Sequence, residues 1–164
     1  MKYLTIIRHA KSSWEHPDLD DFVRPLNDRG QTAIPLIGNY LQQQQIYPDL
    51  IISSPATRAI ETAKGIAHFL QYDPKKIQVE PLIYFGTSAS IISILQQIET
   101  TNNDVFLIGH EPKLSYLIFQ LAKCSLNRFP TCSAYRIAFD IKKWKELKNG
   151  KQEIFITPRQ LMLQ

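Results

Sequence analysis

Cysteine is scarce in this chain of 164 residues, with only Cys124 and Cys132 present. Two thiols without metal-ligand spacing exclude a disulfide framework and a cysteine-rich metal site, so both are expected to be reduced structural residues. Long apolar runs are also lacking. The opening segment holds a few apolar residues before Arg8 interrupts them, too short for a signal-peptide core. No stretch approaches the roughly 20 apolar residues that cross a bilayer. A cytoplasmic protein without membrane association is expected. Strong charge of either sign is absent too: the formal net charge is +4. The basic residues are spread out except at Lys142-Lys143-Trp144-Lys145 with Lys148 and Lys151, which read as a solvated face. Nothing resembles a nucleic-acid module. No repeat or linker divides the chain, and Gln42-Gln43-Gln44-Gln45 reads as the polar end of a helix. The length suits a single domain with a real core, so one domain over 1–164 and a monomer are expected.

What is present is an alternation of short apolar runs with helical patterns, which predicts an α/β fold: a mainly parallel sheet with helices on both faces. Strands are expected near 2–8, 49–53, 77–80 and 104–109. Helices are expected over about 28–43, 55–71, 88–98 and 112–123, the last with Leu114, Leu117, Ile118 and Leu121 facing the sheet. Pro35 inside the first helical stretch demands a late start or a bend. The tail reads as two edge strands, 134–140 and 153–157, around a turn at Asn149-Gly150, with a short helix between them near Trp144 and Leu147.

Three strand ends carry polar chemistry. Tyr3-Leu4-Thr5-Ile6-Ile7 runs into Arg8-His9; Leu50-Ile51-Ile52-Ser53-Ser54 runs into Pro55-Ala56-Thr57-Arg58; Val105-Phe106-Leu107-Ile108-Gly109 runs into His110-Glu111-Pro112. The carboxyl ends of strands are where open α/β sheets bind ligands. In the middle fragment Ser54 suits an N-cap, Pro55 the first helical position and Arg58 the first turn, which together favour an anion. Taken singly, Arg58 reads as a surface ion pair with Glu61 or Glu111, and His110 as a capping or core histidine. Two arginines and two histidines at adjacent strand ends reverse that reading.

These fragments resemble the histidine phosphatase superfamily with its phosphoglycerate mutase-like fold. The resemblance rests on Arg8-His9-Ala10, on Ser53-Ser54-Pro55-Ala56-Thr57-Arg58-Ala59-Ile60-Glu61-Thr62-Ala63 and on Gly109-His110-Glu111-Pro112. Within the superfamily, Arg8-His9-Ala10-Lys11-Ser12-Ser13-Trp14, Arg24-Pro25-Leu26-Asn27-Asp28-Arg29-Gly30 and the short length are similar to the small bacterial phosphohistidine phosphatases of the SixA type. The resemblance implies a three-layer α/β/α sandwich with an antiparallel edge to its sheet. It also implies a hydrolase in which His9 takes up the phosphoryl group while Arg8, Arg58 and His110 cradle its oxygens, without metal or cofactor. Ser12, Ser13 and Trp14 would shape the entrance.

One departure bears on the substrate. Many members of the superfamily carry a general-acid glutamate in a Leu-x-Glu pattern after the third strand, where this chain has Leu82-Ile83-Tyr84. Glu80 is the nearest candidate acid, with Asp18, Asp20 and Asp21 as others. Expelling an alkoxide normally needs a placed acid, which contributes about 100-fold to 10,000-fold. Imidazole, with a conjugate-acid pKa of roughly 6.5, leaves without one. The expected substrate is therefore phosphohistidine on a signalling or carrier protein. The alternatives are a small phosphomonoester and a non-catalytic phosphate-binding domain.

Overall fold

Short runs of β-branched and apolar residues make strands that can be buried on both faces, and the amphipathic stretches between them supply the covering helices. The computed structural model describes residues 1–163. In chain order it contains β1 (Lys2–Arg8), α1 (Asp28–Gln43), β2 (Leu50–Ser53), α2 (Thr57–Phe69), β3 (Gln78–Val79), α3 (Leu82–Phe85), α4 (Ser88–Gln96), β4 (Asp104–Gly109), α5 (Lys113–Ala122), β5 (Ala134–Phe139), β6 (Lys151–Ile156) and α6 (Pro158–Met162). Single 3-10 turns lie at Asp21–Val23, Pro74–Lys76 and Trp144–Glu146. No helix among the described residues is long and apolar enough to cross a membrane.

The strands form one sheet in the order β3-β2-β4-β1-β5-β6. The first four are parallel, while β5 runs antiparallel to both β1 and β6. Alternate side chains divide the core in two. Leu4, Ile6, Ile52, Val105 and Leu107 pack with Ile91 and Leu95 of α4 and with Leu114, Leu117, Ile118 and Leu121 of α5. Ile7, Ile51, Phe106 and Ile108 pack with Ile34, Ile37 and Leu41 of α1 and with Ala59, Ala63, Ile66 and Ala67 of α2. The result is the expected three-layer sandwich.

Several expectations need correction. The helix expected from residue 55 starts at Thr57, and its N-cap, Ala56, has no side chain that could cap it; Ser54 lies two residues earlier, where its Oγ accepts from Ala56 N at 3.2 Å and meets His110 Nε2 at 2.7 Å. The helix ends early, at Phe69, and Gln71 then turns into the left-handed region with a φ of 57°. The strand expected at 77–80 shrinks to two exposed residues, since it lies at the sheet edge and Pro81 cannot extend the ladder. Residues 82–85 form α3, for which no element was expected. α1 runs unbroken through Pro35; the carbonyl that loses its helical donor belongs to Gln31, which is exposed to solvent. Of the two tail strands only β6 is an edge, because β5 is sandwiched between β1 and β6. The final turn, α6, was not legible and packs against α1.

Candidate active site

Backbone ties beyond the strands hold the polar residues at one end of the sheet. His9 N donates to Gly109 O at 3.0 Å, continuing the β1–β4 ladder, and Ser54 N donates to Ile108 O at 3.0 Å, continuing the β2–β4 ladder. The loop after β1 is closed by a bridge between Ser12 and Leu26, with Ser13 N donating to Pro25 O at 2.8 Å. It is fastened to α2 by Ala10 N, which donates to Thr62 Oγ1 at 2.9 Å. Close backbone contact is needed as well: a Cβ on Gly30 of α1 would lie 2.2 Å from the Lys11 carbonyl oxygen.

A cavity of about 440 Å³ opens at this end, and Arg8, His9, Arg58 and His110 all line it. His9 is 7% exposed and His110 is 8% exposed, with ring centroids 5.1 Å apart. His9 Nδ1 lies 2.7 Å from Ala10 O, an acceptor only, so Nδ1 carries the proton and Nε2 the lone pair. Burial is the main reason that the His9 pKa falls to about 4; the Ala10 bond opposes the shift, and the charges of Arg58, Arg8 and Arg24 add to it. Burial likewise lowers His110 to about 3, helped by His9, Arg58 and Lys113. Both rings are therefore neutral near pH 7. His110 Nε2 lies 2.7 Å from Ser54 Oγ. A hydroxyl donating there leaves the His110 proton on Nδ1, which is buried without a protein partner.

The arginines are held but not saturated. Arg8 donates through one terminal nitrogen to Phe129 O at 3.0 Å, while its Nε and that of Arg58 are buried without partners. Arg58, 6% exposed, donates to Asp21 O at 2.7 Å and to Asp21 Oδ2 at 3.0 Å. The same carboxylate accepts from Tyr84 Oη at 2.7 Å, and from Arg24 at 3.0 Å and 3.2 Å. Burial alone would raise the Asp21 pKa, but the hydrogen bonds from Tyr84, Arg24 and Arg58 prevail and bring it down to about 2. That bond to Asp21 is in turn the main reason that the Tyr84 pKa is raised.

The four residues expected to form the site are thus brought together, and the candidate acids are not placed to serve it. Glu80 accepts from Gln78 Nε2 at 2.6 Å and lines a different cavity with Leu50 and Ile94, because the short β3 carries it to the sheet edge. Asp21 reaches the site but as a fixed anion. Asp18 and Asp20 are exposed and do not line the cavity. Ser12 and Trp14 line the cavity, whereas Ser13 is buried outside it. The sequence reading assigned no role to Arg24, which is 7% exposed, bonds Ser12 Oγ and stacks 3.7 Å from the centroid of Trp14. It also missed Lys11 and Arg128, which line the same cavity. The spacing of Arg24 from Ser12-Ser13-Trp14 carried no local signal; only the fold-back of the loop joins them. Glu111 is the one carboxyl lining the cavity among the described residues, and its two oxygens accept from Ser115 N and Ser115 Oγ.

Comparison with known proteins points to one family. A family model described as the histidine phosphatase superfamily (branch 1) matches residues 4–82. An uncharacterised protein of Mycobacterium tuberculosis is 31% identical over 120 residues, covering 73% of this chain and 72% of its own. The phosphohistidine phosphatase SixA of Escherichia coli is 27% identical over 118 residues, or 71% of each chain. A solved structure of the protein histidine phosphatase SixA complexed with tungstate superposes with a TM-score of 0.85 at 23% identity, covering 97% of this chain and 99% of that one. That last likeness is one of fold, the phosphoglycerate mutase-like α/β architecture.

Proposed function

The chain belongs to the histidine phosphatase superfamily, and from that membership we propose that it hydrolyses phosphohistidine carried on another protein, with His9 as nucleophile. The observation that carries this reading is a ready imidazole lone pair in a cationic cavity whose neighbouring carboxylates all act as hydrogen-bond acceptors. Nucleophile and charge stabilisation are supplied; a protonated carboxyl for a basic leaving group is not.

In the first step His9 Nε2 attacks phosphorus, and the bond from phosphorus to the substrate imidazole breaks. The departing ring nitrogen takes its proton from solvent, as its basicity allows near neutral pH. Arg8, Arg58 and the His110 Nδ1–H stabilise the three equatorial oxygens, which is most of what phosphoryl transfer asks of a protein. In the second step water attacks the phosphoryl group on His9, the P–N bond breaks, and the imidazole returns to its Nδ1–H form against Ala10 O as phosphate leaves. The Nδ1 bond favours in-line attack by fixing the ring while Nε2 gains and loses its substituent.

The test compares turnover of a histidine-phosphorylated carrier protein with that of a panel of phosphate esters, using wild type and His9→Ala. Selective loss of phosphohistidine that disappears in the variant is the expected outcome. Faster hydrolysis of an ester would overturn the leaving-group argument and demand an acid.

A further inference from the structure

A second cavity, of about 570 Å³, adjoins the first and shares Lys11 and Arg128 with it. Its remaining walls come from α1, α6 and the segment at Pro130 and Thr131; α1 and α6 set Arg29 and Arg159 around an apolar surface that includes half-buried Leu36 and the exposed Met162. These four cations are exposed, and among the described residues none of them makes an ion pair and no carboxylate lines the groove. The contrast with Arg24, Arg58 and Arg136 is informative, because those three arginines have acidic partners within the fold. Unpartnered cations around a concave apolar surface leave a complementary shape: an amphipathic segment with apolar residues at its centre and acidic residues on its flanks.

We propose that this groove docks an acidic, amphipathic helix of the phosphoprotein, adjoining its phosphohistidine, so that the shared wall of Lys11 and Arg128 joins substrate docking to phosphoryl transfer. The proposal rests on the phosphohistidine reading and adds the chemistry of the partner. A second phosphate on a small substrate would use the cations but leave the apolar surface without a role. A helix suits both, since residues three, four and seven positions from the modified histidine share one face.

The experiment uses two probes: N-phosphoimidazole, which fills the catalytic cavity alone, and a helical peptide carrying phosphohistidine with Leu, Asp and Glu at those spacings. A control peptide replaces Asp and Glu by Asn and Gln. Wild type is expected to prefer the acidic peptide by about 10-fold or more in kcat/KM, with the preference shrinking as salt rises. The double variant Arg29→Glu/Arg159→Glu should erase that preference through KM while keeping phosphoimidazole turnover within about 2-fold, since charges outside the catalytic cavity act mainly on docking. A preference that survives in the double variant, or none in wild type, overturns the groove. If no phosphoramidate is hydrolysed yet the acidic peptide binds wild type and not the double variant, the phosphohistidine reading fails and the docking surface stands.

Discussion

Lowering the pH from about 8 to about 5 is expected to cost this fold about 4 kcal/mol through His9 and His110 alone. Each ring is buried and neutral, with its pKa brought to about 4 for His9 and about 3 for His110. In the unfolded chain each titrates near its ordinary value of roughly 6.5. Because folding depresses both pKa values, the unfolded state binds the extra protons: the stability is fully present above roughly 6.5 and drains away as the pH falls toward the folded values. About 1.5 pH units below the unfolded pKa, at roughly 1.36 kcal/mol per unit, each ring loses about 2 kcal/mol. That is a large share of a typical stability of roughly 5–15 kcal/mol. Urea denaturation across this range, on wild type and on His9→Asn and His110→Asn, measures the slope directly. Each single variant should flatten the dependence by about half, and the double variant should nearly remove it. Saturating inorganic phosphate should flatten it as well, because a bound anion favours the charged rings. A double variant that keeps the wild-type slope would refute the reasoning, since the acid sensitivity would then belong to other groups.

Two further perturbations probe the same end of the sheet. Asp21→Asn removes the carboxylate that Arg58 and Arg24 now share. At this half-exposed position the change is expected to tighten inorganic phosphate binding by about 3-fold to 10-fold, read by calorimetric titration; weaker binding would mean that Asp21 orients Arg58 rather than competing for it. Gly30→Ala forces a methyl group to 2.2 Å from the Lys11 carbonyl oxygen. A loss of about 1–3 kcal/mol in thermal or urea unfolding is expected, and an alanine variant as stable as wild type would show that the loop gives way freely.

Local pattern determined much of this protein by itself. Continuous apolar runs marked β1, β2 and β4, and helical spacing marked α1 and α5 and, for α5, the residues it buries, because side-chain periods of two and about 3.6 are imposed by backbone geometry alone. The grouping of Arg8, His9, Arg58 and His110 was legible because parallel strands deliver their carboxyl ends to one side of the sheet. Tertiary structure decided the rest. Ser54 had the chemistry of an N-cap, yet its hydroxyl went to His110, 56 positions away in sequence. Asp21 was one of several loop acids until the fold-back after β1 set it against Arg58, a separation of 37. Lys11, Arg24 and Arg128 carried no local mark either. Polar pairs at such separations form only after loops have closed and the core has set the distances, so no short window of sequence contains the physics that chooses them.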